Sequence, residues 1–279
     1  MQTSLFKTYG SWALVTGASS GIGEQFAHLL AKQQFNLLLV ARREDLLSQL
    51  RDELQKDYGI AVEIMSADLS TAADVDKVIR AAKDKYLGLI VSNAGFGLKG
   101  AFTKDALSTV LSMVQVNAIA PLTLAYELLP VLAQRVTDWH GDEPKRAGFI
   151  FTGSMEGEAA FPWSSAYAAT KAFVHSLGNS LWEEYRAQGV DILVLAPGST
   201  DTNAPISQGI SRDQLVGIMS PQAVAQQALD KLGKTPLWLT GIHNRIFIRL
   251  LRWLPRSWAI RMAGFGMKQA IEKSNSSLN

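Results

Sequence analysis

The stretch that most restricts the fold is Trp12-Ala-Leu-Val-Thr16 followed by Gly17-Ala-Ser-Ser-Gly21-Ile-Gly23. The apolar run reads as a buried strand. Beyond the glycines, Glu24–Gln34 sets Phe26, Ala27, Leu29 and Leu30 at helical spacing. Strand, glycine turn and helix together are the setting of a dinucleotide-binding turn. Such a turn needs residues that tolerate unusual backbone angles. A pyrophosphate must come close to the backbone, where the helix N-terminus supplies N–H groups and a positive dipole end.

The rest of the chain repeats the alternation. Apolar runs at Asn36–Ala41, Ala61–Ala67, Leu87–Ser92, Gly148–Gly153, Val190–Ala196 and Pro236–Thr240 read as six further strands. Helical patterns fall between them: Glu44–Asp57, a segment starting near Thr71, Asp105–Val114, Asn117–Val136, Ser164–Gln188, and one opened by Ser220-Pro221. This order predicts an α/β fold, a doubly wound parallel seven-stranded sheet in a single domain over 1–279. Its core covers 8–241 and a helical extension covers 242–279. Asn117, four residues before Pro121, marks a helix defect or a functional kink. Ser, Thr, Asn and Gly break the periodicity from Ser199 to Arg212, and 199–219 reads as a substrate lid.

At the end of the second strand an acid would hold a ribose 2′-hydroxyl. The chain has Ala41-Arg42-Arg43 there, which favours the 2′-phosphate of NADP(H). Arg42 is the preferred ligand, and Arg43 could simply open the next helix. Asp68 and Leu69 close the third strand, where they would meet the adenine; Asp68 could equally cap the following helix. Asn93-Ala94-Gly95 gives small residues where backbone must lie close to a cofactor.

Tyr167 and Lys171 are one helical turn apart on the pattern Ser164–Gln188. A phenol beside an ammonium suits proton transfer, because a fixed cation favours the phenolate. Ser154 follows the fifth strand, at the carboxyl end where open α/β sheets bind ligands.

Four pieces then agree in order and spacing: Thr16–Gly23, Ser92–Gly95, Ser154 with Tyr167-x-x-x-Lys171, and Pro197-Gly198-x-x-x-Thr202. Over about residues 8–241 the chain resembles the short-chain dehydrogenase/reductase family, in its compact oxidoreductase branch, with a Rossmann fold. The resemblance implies that Tyr167 is the general acid or base and that Lys171 lowers its pKa and holds the nicotinamide ribose. Ser154 would bind the substrate oxygen, and Asn117 would hold a water in a proton relay. Gly17, Ser19, Ser20, Gly21, Ile22 and Gly23 would cradle the pyrophosphate. Asn93, Ala94 and Gly95 would lie near the adenosine ribose, and Pro197, Gly198, Thr200 and Thr202 near the nicotinamide. Met155-Glu156 stand where family members often have small residues after the serine, and Thr200 where an aliphatic residue is usual.

Tyr9-Gly-Ser-Trp12 and Ser180-Leu-Trp-Glu-Glu-Tyr-Arg186 are similar to a subgroup with very-long-chain 3-oxoacyl-CoA reductases and 17β-hydroxysteroid dehydrogenases. This implies an NADPH-dependent reduction of an apolar ketone or aldehyde, with Met155, Phe161 and Trp163 beside the substrate. The same residues would serve an NADP-linked alcohol dehydrogenase running oxidatively. A non-catalytic NADP(H) sensor would have no physical need of Asn117, Ser154, Tyr167 and Lys171. The resemblance also implies a homodimer or homotetramer built on the long helix after Tyr167.

Net charge is +2, too small to point to nucleic acid. There is no cysteine, and His28, His140, His175 and His243 have no metal-ligand spacing, so no metal is expected. The N-terminus lacks a signal-peptide core and no apolar run reaches about 18 residues, so the cytoplasm is expected. Residues 243–268 contain no acid, and Arg245, Arg249, Arg252 and Arg256 step along one helical face. Two readings stay open for that segment: a helix closing the sheet edge or roofing the substrate pocket, or a peripheral contact with an anionic membrane surface or an acidic partner.

Overall fold

A computed structural model of the chain describes residues 5–141, 145–202 and 217–276. The proposed lid, 199–219, therefore falls largely outside the described residues. Seven strands form one sheet, all neighbours parallel: β1 (Trp12–Thr16), β2 (Asn36–Ala41), β3 (Val62–Ser66), β4 (Leu87–Ser92), β5 (Ala147–Thr152), β6 (Val190–Ala196) and β7 (Leu237–Leu239). Their order is β3-β2-β1-β4-β5-β6-β7. Chain direction across the sheet reverses between β1 and β4, so a crevice opens beyond their carboxyl ends. The doubly wound single-domain expectation holds.

The helices before the third strand are α1 (Leu5–Tyr9), α2 (Gly21–Lys32) and α3 (Glu44–Tyr58). Next come α4 (Ala72–Lys83), α5 (Leu107–Val114), α6 (Ala120–Thr137), α7 (Ser165–Arg186) and α8 (Pro221–Lys231). Phe26, Leu30, Leu47 and Leu54 of α2 and α3, with Val224 and Ala228 of α8, bury against one face of the sheet. Val78, Leu124, Leu128 and Val174 of α4, α6 and α7 bury against the other. Central strands covered on both faces need continuous apolar runs, which β1, β2 and β4 have. The continuous helix over Leu107–Thr137 is long and apolar enough to cross a bilayer, yet 56% of its most apolar window is buried inside the protein.

The kink expected at Asn117 is a π-turn, Gln115–Ile119, joining α5 to α6. Pro121 has no N–H, so the Asn117 carbonyl lacks its ordinary α-helical donor and the ladder changes register there. The helix predicted through 243–268 is two helices, α9 (Ile242–Trp253) and α10 (Arg256–Ser276). Leu254 is extended (φ −81°, ψ 149°) because it precedes Pro255. Arg256 therefore does not continue the face of Arg245, Arg249 and Arg252, which corrects the single-face expectation.

Candidate active site

Thr16 fixes the two halves of the sheet at the crevice. Its Oγ1 accepts from the backbone N–H of Asn93 and of Ala94, each at 3.0 Å, and its carbonyl accepts from Asn93 Nδ2 at 3.1 Å. This ties the glycine turn to the end of β4. The packing leaves no room for side chains. A Cβ on Gly17 (φ +67°) would meet Ala94 Cα at 2.9 Å, and one on Gly23 would meet the Gly17 carbonyl at 2.2 Å. Ser20, the residue before α2, is extended and makes no side-chain cap. The first-turn N–H groups of α2 are thus left to a ligand.

A cleft of about 1010 Å³ runs from this turn across the carboxyl ends of the strands. Most of the predicted residues line it: Gly17, Ser19, Ser20, Gly21 and Ile22; Arg42 and Arg43; Asp68 and Leu69; Asn93, Ala94 and Gly95. Ser154, Met155, Phe161, Tyr167, Lys171, Pro197, Gly198, Thr200 and Thr202 line the rest. Three predicted residues do not. Gly23 is buried beneath the turn, Asn117 is buried behind Gly95, and Trp163 is part exposed beside the cleft. Trp163 has φ +67°, and its carbonyl accepts from the Gly100 N–H.

The arginines differ. Arg43 binds Ser19 Oγ at 2.9 Å and Ser20 Oγ at 2.7 Å, pinning the glycine turn to the end of β2. The Arg42 guanidinium is exposed and makes no hydrogen bond with the described residues. Asp68 does not cap α4: it accepts from Ser70 N–H at 3.0 Å, while Thr71 caps the helix by accepting from Asp74 N–H. Thr200 is explained by a turn, its Oγ1 donating to the Gly198 carbonyl at 3.1 Å. These features, a glycine cradle closed to any Cβ, an uncapped helix start and two arginines where β2 ends, fit a phosphorylated dinucleotide.

At the other end, Ser154, Tyr167 and Lys171 converge. Lys171 Nζ donates to the Thr152 carbonyl at 2.8 Å and lies 5.7 Å from the Tyr167 ring centroid. Burial lowers the Lys171 pKa to about 8. Against the expectation that Lys171 lowers it, the Tyr167 phenol is pushed well above its usual range by burial, to which Glu156 adds and which a hydrogen bond with Ser154 opposes. Asn117 spends its side chain on structure: Oδ1 accepts from Phe96 N–H at 3.1 Å, and Nδ2 donates to the Phe96 carbonyl at 2.8 Å.

Two polar networks were not foreseen. Lys99, with 2% of its side chain exposed, donates to both Glu156 carboxylate oxygens at 2.5 Å and to Ser164 Oγ at 2.7 Å. Its ammonium also lies 4.7 Å from the Tyr167 ring centroid, on a cation–π contact. In the second, Ser154 N–H donates to His175 Nε2 at 3.3 Å, which leaves Nδ1–H to donate to Glu158 Oε1 at 2.7 Å. Glu158 also pairs with Arg252 of α9. The His175 hydrogen bond is the main cause that lowers the Glu158 pKa. The only sequence trace of these networks is the unusual Glu156 after the serine.

The roof reading of the C-terminal segment is what the structure has. Asn244, Phe247, Met262, Ala263 and Met267 of α9 and α10 line the cleft. Gly198 admits Asn244 so closely that a Cβ there would lie 1.9 Å from Asn244 Nδ2.

Comparison with known proteins agrees with this geometry. The chain is 28% identical over 246 residues to a 7beta-hydroxysteroid dehydrogenase of Mediterraneibacter gnavus, covering 87% of this chain and 90% of that one. It is 28% identical over 278 residues to a very-long-chain 3-oxoacyl-CoA reductase of Pyricularia oryzae (94% and 76%). It is also 28% identical over 262 residues to the human inactive hydroxysteroid dehydrogenase-like protein 1 (91% and 76%). A solved 7beta-hydroxysteroid dehydrogenase superposes with TM-score 0.83 at 25% identity, over 94% of this chain and 99% of that one. A Sphingobium yanoikuyae short-chain dehydrogenase in complex with NADPH gives 0.76 at 26%, over 88% and 97%. The family model for short chain dehydrogenase matches residues 11–212, and with the glycine cradle and the Ser154–Tyr167–Lys171 cluster in place the chain belongs to the short-chain dehydrogenase family of oxidoreductases.

Proposed function

We propose that the protein is an NADPH-dependent reductase of a bulky apolar ketone or aldehyde, steroid-like or 3-oxoacyl in class. The observation that carries this is the convergence of Ser154, Tyr167 and Lys171 on a cleft also lined by the apolar side chains of Phe161, Phe247, Met262, Ala263 and Met267. When bound, the nicotinamide supplies the hydride that adds to the carbonyl carbon. Tyr167 gives its phenolic proton to the carbonyl oxygen as that oxygen gains charge. Its raised pKa keeps it a protonated acid until then. Ser154 donates to the same oxygen and orients it. Lys171, at the base of the cluster, holds the ribose side of the cofactor and resupplies the proton. Arg42 would bind the 2′-phosphate, beside Arg43, whose guanidinium holds Ser19 and Ser20. The NADPH-bound relative supports that choice of cofactor, and the names of the steroid and 3-oxoacyl relatives support the substrate class.

The oxidative direction uses the same groups in reverse, Tyr167 then acting as base. The human relative named as inactive gives the sensor reading some standing, but this chain has the full set Asn117, Ser154, Tyr167 and Lys171. The deciding experiment follows NADPH oxidation by absorbance against medium- and long-chain 3-oxoacyl thioesters, keto-steroids and small aldehydes, with NADH in parallel. Selective turnover of the bulky apolar ketones with NADPH is expected. Turnover of small carbonyls only would refute the substrate class, and tight NADPH binding with no turnover would favour a sensor.

A further inference from the structure

Helices α9 and α10 have two faces, and the roof uses only one. Ile248 and Leu251 are buried and Phe247 faces the cleft, whereas Ile242, Ile246, Leu250 and Trp253 point outward at steps of four, four and three. Those steps make a single helical face. On α10, Trp258, Met262 and Phe265 are exposed at steps of four and three, again one helical face. The exposures are high: 84% for Trp253, 65% for Trp258 and 66% for Phe265. Large apolar side chains exposed in a row along two consecutive helices of a folded domain mark an interaction site.

The charge around the patch has one sign. From Lys231 to Ile271 the chain holds no acidic residue. Some of its cations are engaged: Arg252 pairs with Glu158, and Arg245 lies over the Trp238 ring. Arg249, Arg256 and Arg261 are exposed and form no ion pair with the described residues. A second copy of the chain seated face to face would set arginine against arginine with no acid between them. A layer of anionic headgroups over hydrocarbon matches both properties, with arginines at the phosphates and tryptophans at the interface.

We propose that the outer face of α9 and α10 docks the protein on an anionic lipid surface. The same two helices roof the cleft, so the docked face lies next to the substrate entrance. Met262 belongs to both, lining the cleft while 42% exposed. An apolar substrate dissolved in the lipid would thus enter without crossing water. Docking stands independently of the reductase reading, since lipid binding is measured without turnover.

The test is co-flotation of the full chain with phosphatidylcholine vesicles, with and without phosphatidylserine, at low and at physiological salt. Enrichment on the phosphatidylserine vesicles, weakening with salt, is expected. Each exposed arginine near the surface contributes roughly fivefold. Arg249→Glu/Arg256→Glu should therefore lose binding by more than about tenfold. Trp253→Ser/Trp258→Ser should lose it while keeping the wild-type melting temperature, since both side chains are in solvent. Equal recovery with neutral and anionic vesicles, or wild-type flotation by both variants, would overturn the proposal. So would light scattering in which the tryptophan variant turns a dimer into a monomer, which would assign the face to a second copy.

Discussion

Lys99→Met tests the arrangement on the substrate side of Tyr167. The ammonium is satisfied by three acceptors, two oxygens of Glu156 and Ser164 Oγ, matching its three N–H donors. Only 2% of the Lys99 side chain and 14% of that of Glu156 is exposed, so the ammonium in particular has little water to replace a lost partner. Removing one partner of such a pair costs about 3–5 kcal/mol, most of it from the charge left behind. At roughly 2 °C per kcal/mol for a chain of this size, Lys99→Met and Glu156→Gln should each lower Tm by about 6–10 °C. The double variant Lys99→Met/Glu156→Leu leaves no orphaned charge and should recover most of the loss. Urea unfolding at pH 7 of all four proteins measures the coupling. Singles within about 1 kcal/mol of wild type, or a double equal to the sum of the singles, would refute the clamp. A second readout separates packing from electrostatics. Glu156 raises the Tyr167 pKa. Losing Lys99 alone should therefore move the rising limb of the pH–rate profile for alcohol oxidation to higher pH, and losing Glu156 alone should move it lower.

Other expectations are as direct. Tyr167→Phe should lower turnover by roughly 10²-fold or more while NADPH binding persists, and near-normal rates would remove Tyr167 from the mechanism. Arg42→Ala should weaken NADPH by roughly 10- to 100-fold and NADH little, as befits charge-assisted bonds to a phosphate; equal losses in a binding titration would refute the assignment. Burial sets the folded pKa of Lys171 at about 8 against 10.5 unperturbed, so between those values the unfolded chain binds the extra proton and stability rises with pH. That rise amounts to roughly 3 kcal/mol and should vanish in Lys171→Met, read from urea unfolding across the window; an unchanged slope would contradict it.

Much of the cofactor side was legible because its parts are local in sequence. The turn from Thr16 to Gly23 states its own needs: a strand to end, residues without Cβ where backbones touch, and a helix to begin. The structure meets those needs with Gly17 against Ala94 and Gly23 against Gly17. The kink at Asn117 was also readable, since Pro121 four residues later removes one particular hydrogen bond. Arg42 and Arg43 were legible as cations in place of an acid. That Arg43 would pin Ser19 and Ser20 was not, because it depends on how closely β2 approaches the first turn.

The substrate side was less legible because its contacts join residues far apart in the chain. Lys99 and Glu156 are 57 positions apart, and Arg252 and Glu158 are 94. Neither pair has a periodicity, a spacing or a turn chemistry to announce it. Lys99 meets Glu156 only because β4 and β5 lie side by side, and Arg252 meets Glu158 only because α9 folds back toward the segment after β5. Pro255, which ends α9, turned a supposed single amphipathic helix into a two-helix roof. Through Arg252, Glu158 and His175 that roof is bonded to the backbone of Ser154. The helices that line the cleft therefore also help to set the position of Ser154, whose hydroxyl is proposed to receive the substrate oxygen. Residues 242–276 are on this account part of the site rather than an appendage to it, and a shift of the roof would be felt first at Ser154.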